Sequence, residues 1–239
     1  MALFWSLLYV DPLIVLSTIV FGAISVVQSF FDRSGDSMIA TARRWARTLV
    51  AIARVRVKVE GLEKIDPHRP YIFASNHLSY MDTPVVLSRI PVQFRFMAKS
   101  GLFQIPFLGT HLAQAGHIPV PLEDPRAAVK TLSHAAQIIR DRGISILIFP
   151  EGGRSDNGIL QEFKEGAAYI AIKAGVPIVP VALIGTREIL AMHSKTFRPG
   201  PVTLRIDDPI PTEGLRLSDR GELTAKVRNR IVAMLDSGH

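Results

Sequence analysis

A histidine and an aspartate stand five positions apart in Asn76-His77-Leu78-Ser79-Tyr80-Met81-Asp82. Histidine is the usual general base near neutral pH, and a carboxylate accepting from its second ring nitrogen fixes the tautomer and stabilises the imidazolium. On a regular helix that spacing would turn the two side chains about 140° apart. They converge only if the segment is a turn from a strand into a helix. The same residues also fit a helix start at which Ser79 and Asp82 serve as caps while His77 lines a pocket edge. A nucleophilic Ser79 is a third option.

A second loop with chemical content is Phe149-Pro150-Glu151-Gly152-Gly153-Arg154-Ser155. Paired glycines let backbone approach a ligand closely, and an arginine beside them can hold a phosphate through two parallel hydrogen bonds. Glu151 would repel a phosphate, so its better role is to hold hydroxyls or to orient Arg154. A plain surface turn carrying an Arg–Glu pair fits as well. His111 and His117 have no partner carboxylates or histidines at metal-ligand spacing, so both are read as structural and no metal is expected.

The elements around these loops alternate. Arg54–Glu60 reads RVRVKVE, a strand with one apolar face, and Tyr71–Ser75 is a short apolar strand that delivers Asn76 and His77. Helix is expected at Asp82–Ile90, Asp124–Arg142, Glu165–Ala174 and Ser218–Leu235; strand is expected at Phe94–Ala98, Ile144–Phe149, Pro177–Ile184 and Val202–Ile206. Alternation of this kind predicts an α/β fold, a mixed, largely parallel sheet flanked by helices. In such sheets reactive groups gather where the strands' carboxyl ends open into loops, which is where both candidate loops fall.

With 239 residues, 48% of them apolar, there is material for one sizeable core. No cysteine is present, which removes disulfides, thiolate metal sites and a cysteine nucleophile. The net charge of +7 calls for an anionic partner, but no recognition helix, zinc site or stacking sheet supports nucleic acid. Much of the excess charge (Arg33, Arg43, Arg44, Arg47, Arg54, Arg56, Lys58) follows a run from Pro12 to Phe31 that carries no charge and is long enough for a hydrocarbon layer of roughly 30 Å. Met1–Val10 is apolar too, interrupted by Asp11-Pro12. A spanning helix and a helical hairpin dipping into one leaflet both fit, as does a helix buried in a soluble core; a cleaved signal peptide lacks its basic start and cleavage site. The basic residues after the run put the body on the cytoplasmic side. Met38–Val55, which mixes Trp45, Leu49 and Val50 with arginines, reads either as an interfacial helix on anionic headgroups or as one packed on the domain.

The ordered set N-H-x-x-x-x-D, then F-P-E-G-x-R-S, then V-P-I-V-P (Asn76–Asp82, Phe149–Ser155 and Val176–Pro180) resembles the glycerolipid acyltransferase family, typified by 1-acylglycerol-3-phosphate acyltransferases. The resemblance covers roughly Gly61 to Gly185. It implies transfer of a fatty acyl group from acyl-CoA or acyl-carrier protein to the free hydroxyl of a lysolipid, with no metal or other cofactor. It makes His77 the base, Asp82 its partner, and Glu151, Gly152 and Arg154 part of the acceptor site, with Gly153 between them a further candidate; Val176–Pro180 would shape an acyl channel or be core strand. Two positions depart from the family pattern. Leu122 stands where a second-motif arginine belongs, with Arg126 four residues on as a substitute, and Gly153 stands where threonine is usual. Lys99 is a further cation for the acceptor or the donor's phosphates, or simply a solvated charge. The expected acceptor is 1-acylglycerol-3-phosphate. The alternatives are another lysophospholipid or a lyso-aminolipid, a thioester hydrolase, or a catalytically silent lipid-binding protein of the same fold. On this reading residues 1–34 attach to membrane lipids, 35–58 form a basic interfacial helix and entry strand, and 59–239 form the acyltransferase domain.

Overall fold

In the computed structural model, which describes residues 2–121 and 123–237, the alternating apolar segments pair into one sheet. Its strands are β1 (Arg56–Glu60), β2 (Ile72–Ser75), β3 (Phe94–Lys99), β4 (Ile118–Val120), β5 (Ser145–Ile148), β6 (Ile178–Ile184) and β7 (Pro201–Ile206). Their spatial order is β1-β7-β6-β2-β5-β3-β4. The run β6-β2-β5-β3-β4 is parallel throughout, β7 is antiparallel to β6, and β1 parallels β7. The sheet is therefore mixed and largely parallel, and β2, β5, β3 and β4 all release their chains at the same edge.

The two-residue period of a strand sorts its side chains onto opposite faces. Phe73, Leu147, Val179, Val181 and Leu183 pack with Ala42, Ala46 and Val50 of α2 (Asp36–Ile52) and with Val85 and Val86 of α3 (Asp82–Arg89). Ile72, Ala74, Ile146, Ile178 and Ala182 meet α5 (Pro125–Arg142), α6 (Gly166–Ala174) and α8 (Arg220–Asp236) on the other side. Because both faces are covered, β6 reads as a continuous apolar run, and Ile178–Pro180 of the V-P-I-V-P motif is core strand, entered through the buried Val176. Two short helices complete the set, α4 (Leu108–Gln114) and α7 (Thr186–Ile189).

The first strand begins two residues later than its alternation suggests. Arg54 leaves α2 with φ 52 while its N–H donates to the Ala51 carbonyl, so extended backbone starts only beyond it. Apolar Ile118–Val120, too short to stand out by pattern, adds an edge strand beside β3.

The N-terminal segment is a single helix, α1 (Ala2–Ser29), uninterrupted at Asp11-Pro12. Residues Ser6–Val10 wind as a wider π-turn, in which the Asp11 N–H donates to the Ser6 carbonyl. That wider turn relieves the clash a proline ring makes with the carbonyl four residues back. A helical hairpin does form, but between α1 and α2 rather than within the apolar run. Asp32 builds its bend by accepting from the N–H groups of Ser34, Gly35 and Ser37.

Nor is α1 a buried core helix. Its polar side chains point at the body: Ser6 Oγ accepts from the Phe197 N–H, Thr18 Oγ1 from Trp45 Nε1, and Ser25 Oγ meets His111 Nδ1. Leu8, Leu16, Ile19, Val20 and Val27 point outward and are exposed. Among its described residues only Val10, with the partly buried Trp5 and Ile14, packs on the core, so most of the apolar surface faces away, unlike that of a helix that a soluble core recruits. Helix α2 is packed on the domain through Met38, Ala42, Ala46, Leu49 and Val50. Arg43 turns inward to the Val92 carbonyl and the Phe94 ring, whereas Arg33 and Arg44 remain exposed.

Candidate active site

Strand β2 runs directly into Asn76, whose fully buried carboxamide clamps the neighbouring strand β6. Its Nδ2 donates to the Leu183 carbonyl (2.9 Å) and its Oδ1 accepts from the Leu183 N–H (2.8 Å). The chain then turns through Ser79 and Tyr80 into α3. Asp82, first residue of that helix, is brought back over the turn, and the convergence predicted for a strand-to-helix segment is realised. One oxygen, Oδ2, accepts from His77 Nδ1–H (2.8 Å) and from the N–H groups of Leu78 (2.7 Å) and Ser79 (2.8 Å). Its partner oxygen Oδ1 is buried without a hydrogen bond.

A carboxylate only accepts, so Nδ1 of His77 carries the proton and Nε2 presents a lone pair. Burial pushes the imidazole below its ordinary value. The hydrogen bond and charge of Asp82 pull it back upward, and Arg154 adds a smaller downward push. The neutral form is therefore the resting state near pH 7. Ser79 is buried; its Oγ donates to the Leu190 carbonyl (2.6 Å) and accepts from the Met81 N–H (3.0 Å). Both bonds give it a capping role rather than that of a nucleophile.

The second loop leaves β5 next door and is laced to the first. The Phe149 ring stacks on His77 at 3.8 Å between centroids and 10° between planes. The Ser155 N–H donates to the His77 carbonyl (3.0 Å), and Arg154 Nε donates to the Ser79 carbonyl (3.2 Å) while its guanidinium lies 4.6 Å from the Tyr80 ring centre. Glu151 does not orient Arg154: its Oε1 accepts from the His77 N–H (2.6 Å) and its Oε2 from the Gln161 N–H (3.0 Å). The orienting contacts on Arg154 come from Ser79 and Tyr80. Burial drives the Glu151 carboxyl up to about 7, against the downward pull of those two N–H groups.

Gly152 makes the turn with φ 79, and a Cβ there would stand 2.8 Å from Lys164 Nζ. The positive φ is what favours glycine here, since the Lys164 side chain can move aside. Gly153 faces open space, with nothing within 4 Å of where its Cβ would be.

Among the sequence candidates, His77, Asp82, Glu151, Gly152, Gly153 and Arg154 thus come together. Lys99 and Arg126 lie at the same sheet edge but outside that network. Lys99 ends β3 and pairs with Glu123 (3.1 Å), and Arg126 is exposed in the first turn of α5. Leu122 lies outside the described residues. His111 and His117 sit within the fold, His117 Nδ1 accepting from the Phe96 N–H (2.9 Å). Burial drives His117 down to about 3, and no cluster of three or more potential metal ligands occurs among the described residues. The sequence places Asn76, Tyr80 and Phe149 inside its two motifs without giving them a role, and gives none to Gln161 or Lys164. Asn76 and Phe149 adjoin the reactive residues in the chain, but neither titrates, and a search keyed to acids and bases passes over them.

Comparison with known proteins gives a consistent picture. A family model described as acyltransferase matches residues 56–184. The chain is similar to the chloroplastic 1-acyl-sn-glycerol-3-phosphate acyltransferase of Arabidopsis thaliana, 35% identical over 71% of this chain and 47% of that relative. It is likewise similar to the alpha 1-acyl-sn-glycerol-3-phosphate acyltransferase of Bos taurus, 31% identical over 75% of this chain and 63% of that one. The chain spans about half the length of the plant relatives. The crystal structure of the 1-acyl-sn-glycerophosphate acyltransferase from Thermotoga maritima superposes with a TM-score of 0.82 at 27% identity, over 99% of this chain and 95% of that one.

Proposed function

The chain belongs to the acyltransferase family, and from that premise we propose that it moves a fatty acyl group from a thioester, acyl-CoA or acyl-carrier protein, to the free hydroxyl of a lysolipid. The acceptor we favour is 1-acylglycerol-3-phosphate, which gives phosphatidic acid. The observation that carries this reading is the triple hydrogen bond at Asp82 Oδ2, which fixes the His77 ring with Nε2 unprotonated beside Arg154.

The acceptor hydroxyl attacks the thioester carbonyl as His77 Nε2 takes its proton. The new C–O bond forms, the tetrahedral intermediate collapses with loss of the C–S bond, and the leaving thiolate recovers the proton from the imidazolium. Asp82 stabilises that imidazolium without itself moving. No acyl-enzyme and no metal are called for. Arg154 holds the acceptor's phosphate, and Lys99 and Arg126 add positive charge on the approach. Glu151 is a clamp between the two loops rather than a ligand.

The outward apolar face of α1 supports attachment to a membrane, and the arginines that follow it support a body on the cytoplasmic side. The decisive experiment incubates purified protein with radiolabelled acyl-CoA and a panel of lysophosphatidic acid, lysophosphatidylglycerol, lysophosphatidylcholine and a phosphate-free lyso-aminolipid. The expected product is phosphatidic acid, in step with released CoA. Free fatty acid formed at the same rate with or without acceptor would make the protein a hydrolase. A preference for the phosphate-free lipid would overturn the acceptor assignment alone.

A further inference from the structure

Between Lys99 and Glu123 lie 23 consecutive residues without Asp, Glu, Lys or Arg, in a chain that is 21% charged overall. Much of this stretch is surface. Leu102, Ile105 and Leu108 are exposed, and Phe107 is 77% exposed. Soluble surfaces rarely gather apolar side chains into one uncharged segment.

The segment is folded firmly rather than draped. The Gly109 N–H donates to the Ile105 carbonyl (2.7 Å) and the His111 N–H to that of Phe107 (3.0 Å). Any Cβ at position 109 would lie 2.0 Å from the Phe103 carbonyl oxygen. Phe107 holds φ 64, ψ −50, a conformation bulky residues avoid. The turn thus accepts an unfavourable backbone at the residue whose ring stands furthest into solvent. The inner side of α4 is anchored to α1, with His111 Nδ1 2.6 Å from Ser25 Oγ. The exposed segment therefore adjoins the C-terminal half of α1, where Ile24 and Val27 are also exposed, and the exposed Phe30 and Phe31 that follow it. It begins directly after Lys99, at the carboxyl edge of the sheet that carries His77 and Arg154.

We propose that Leu102–Leu108 is a second lipid-contacting wedge, entering the same membrane surface as α1 at the rim of the site. This rests on the membrane reading of α1. Together the two elements would define a lipid-facing side from which a lysolipid enters with its acyl chain in the hydrocarbon and its headgroup toward Arg154.

Because the chain has no cysteine, single-cysteine labelling is clean. Phe107→Cys, Val20→Cys on α1 and Ala225→Cys on α8 would each carry an environment-sensitive fluorophore, in full-length protein reconstituted into mixed zwitterionic and anionic phospholipid vesicles. The label at 107 should be blue-shifted, quenched by a quencher borne on the lipid chains, and several-fold less accessible to aqueous iodide than the label at 225. If 20 is lipid-quenched while 107 behaves like 225, the wedge is wrong and the membrane reading of α1 stands. If neither 20 nor 107 is lipid-quenched, both fall. A label at 107 protected from iodide yet insensitive to the lipid-borne quencher would assign the patch to contact with a second protein molecule and overturn the proposal.

Discussion

The two ends of the site are held in different ways. At the His77 end three donors converge on one oxygen of Asp82, the ring is stacked on Phe149, and the backbone on either side is tied down by Glu151 and Ser155. At the Arg154 end one carbonyl contact of 3.2 Å and a tyrosine face position the guanidinium, while Lys99 and Arg126 stand near solvent. Proton transfer tolerates little misplacement, since a base must reach its proton within hydrogen-bond distance. Recognition of an anionic headgroup can be shared among several adjustable cations. The contrast predicts steep effects at one end and graded ones at the other.

The largest effect belongs to His77. His77→Ala should abolish transfer, and Asp82→Asn, which keeps shape but loses charge, should cost about 10²–10⁴ in kcat, both variants remaining folded by circular dichroism. A His77→Ala protein with near-normal turnover would sink the contrast at its strong end.

Arg154→Ala comes next. Loss of a charge-assisted contact should lower kcat/KM for lysophosphatidic acid by about ten- to a hundredfold. The change on a phosphate-free lysolipid should be much smaller. Equal losses on both acceptors would make Arg154 a structural partner of Tyr80 and Ser79.

A pH profile sharpens the comparison further. In the proposed mechanism His77 must be neutral to take the proton, and burial holds it below the ordinary 6.5. The acid limb of kcat/KM should therefore have its midpoint under 6.5, with activity lost as pH falls through it. Asp82 raises the His77 value and Arg154 lowers it. Residual activity of Asp82→Asn should then titrate at lower pH than wild type, and that of Arg154→Ala at higher pH. Shifts in the opposite directions would mean that another group controls the limb.

The smallest effects are expected at Lys99 and Arg126. Each alanine variant should lose less than about fivefold on lysophosphatidic acid, and the loss should shrink as salt is raised. A hundredfold loss at Lys99 would move it into direct contact with the acceptor.

Much of this architecture is legible locally. RVKVE at Arg56–Glu60 shows its alternation, Asp124-Pro125 its helix start, and Gly143 and Gly175 their helix ends, because strand periodicity, capping and left-handed turns depend on a few neighbouring residues. The reactive types were legible for the same reason: His77 and Asp82 are close in the chain, and Glu151 and Arg154 share one loop. Other features were not. Asp11-Pro12 looked like a break and is absorbed by a π-turn, and Glu151 looked like a partner for Arg154 yet accepts from His77, 74 residues away.

By itself the sequence determined the order of the longer elements, the two candidate loops and the apolar N-terminal run. Only the tertiary structure decided which atoms meet. The strand order β6-β2-β5 sets Asn76 against Leu183, 107 positions distant, and stacks Phe149 on His77. It likewise set Ser6, Thr18 and Ser25 of α1 in hydrogen bonds to the body, with Val10 in the core, and left Leu8, Leu16, Ile19, Val20 and Val27 facing outward. Such pairings arise from which surfaces the whole chain can bury together, a non-local condition that neither periodicity nor spacing encodes.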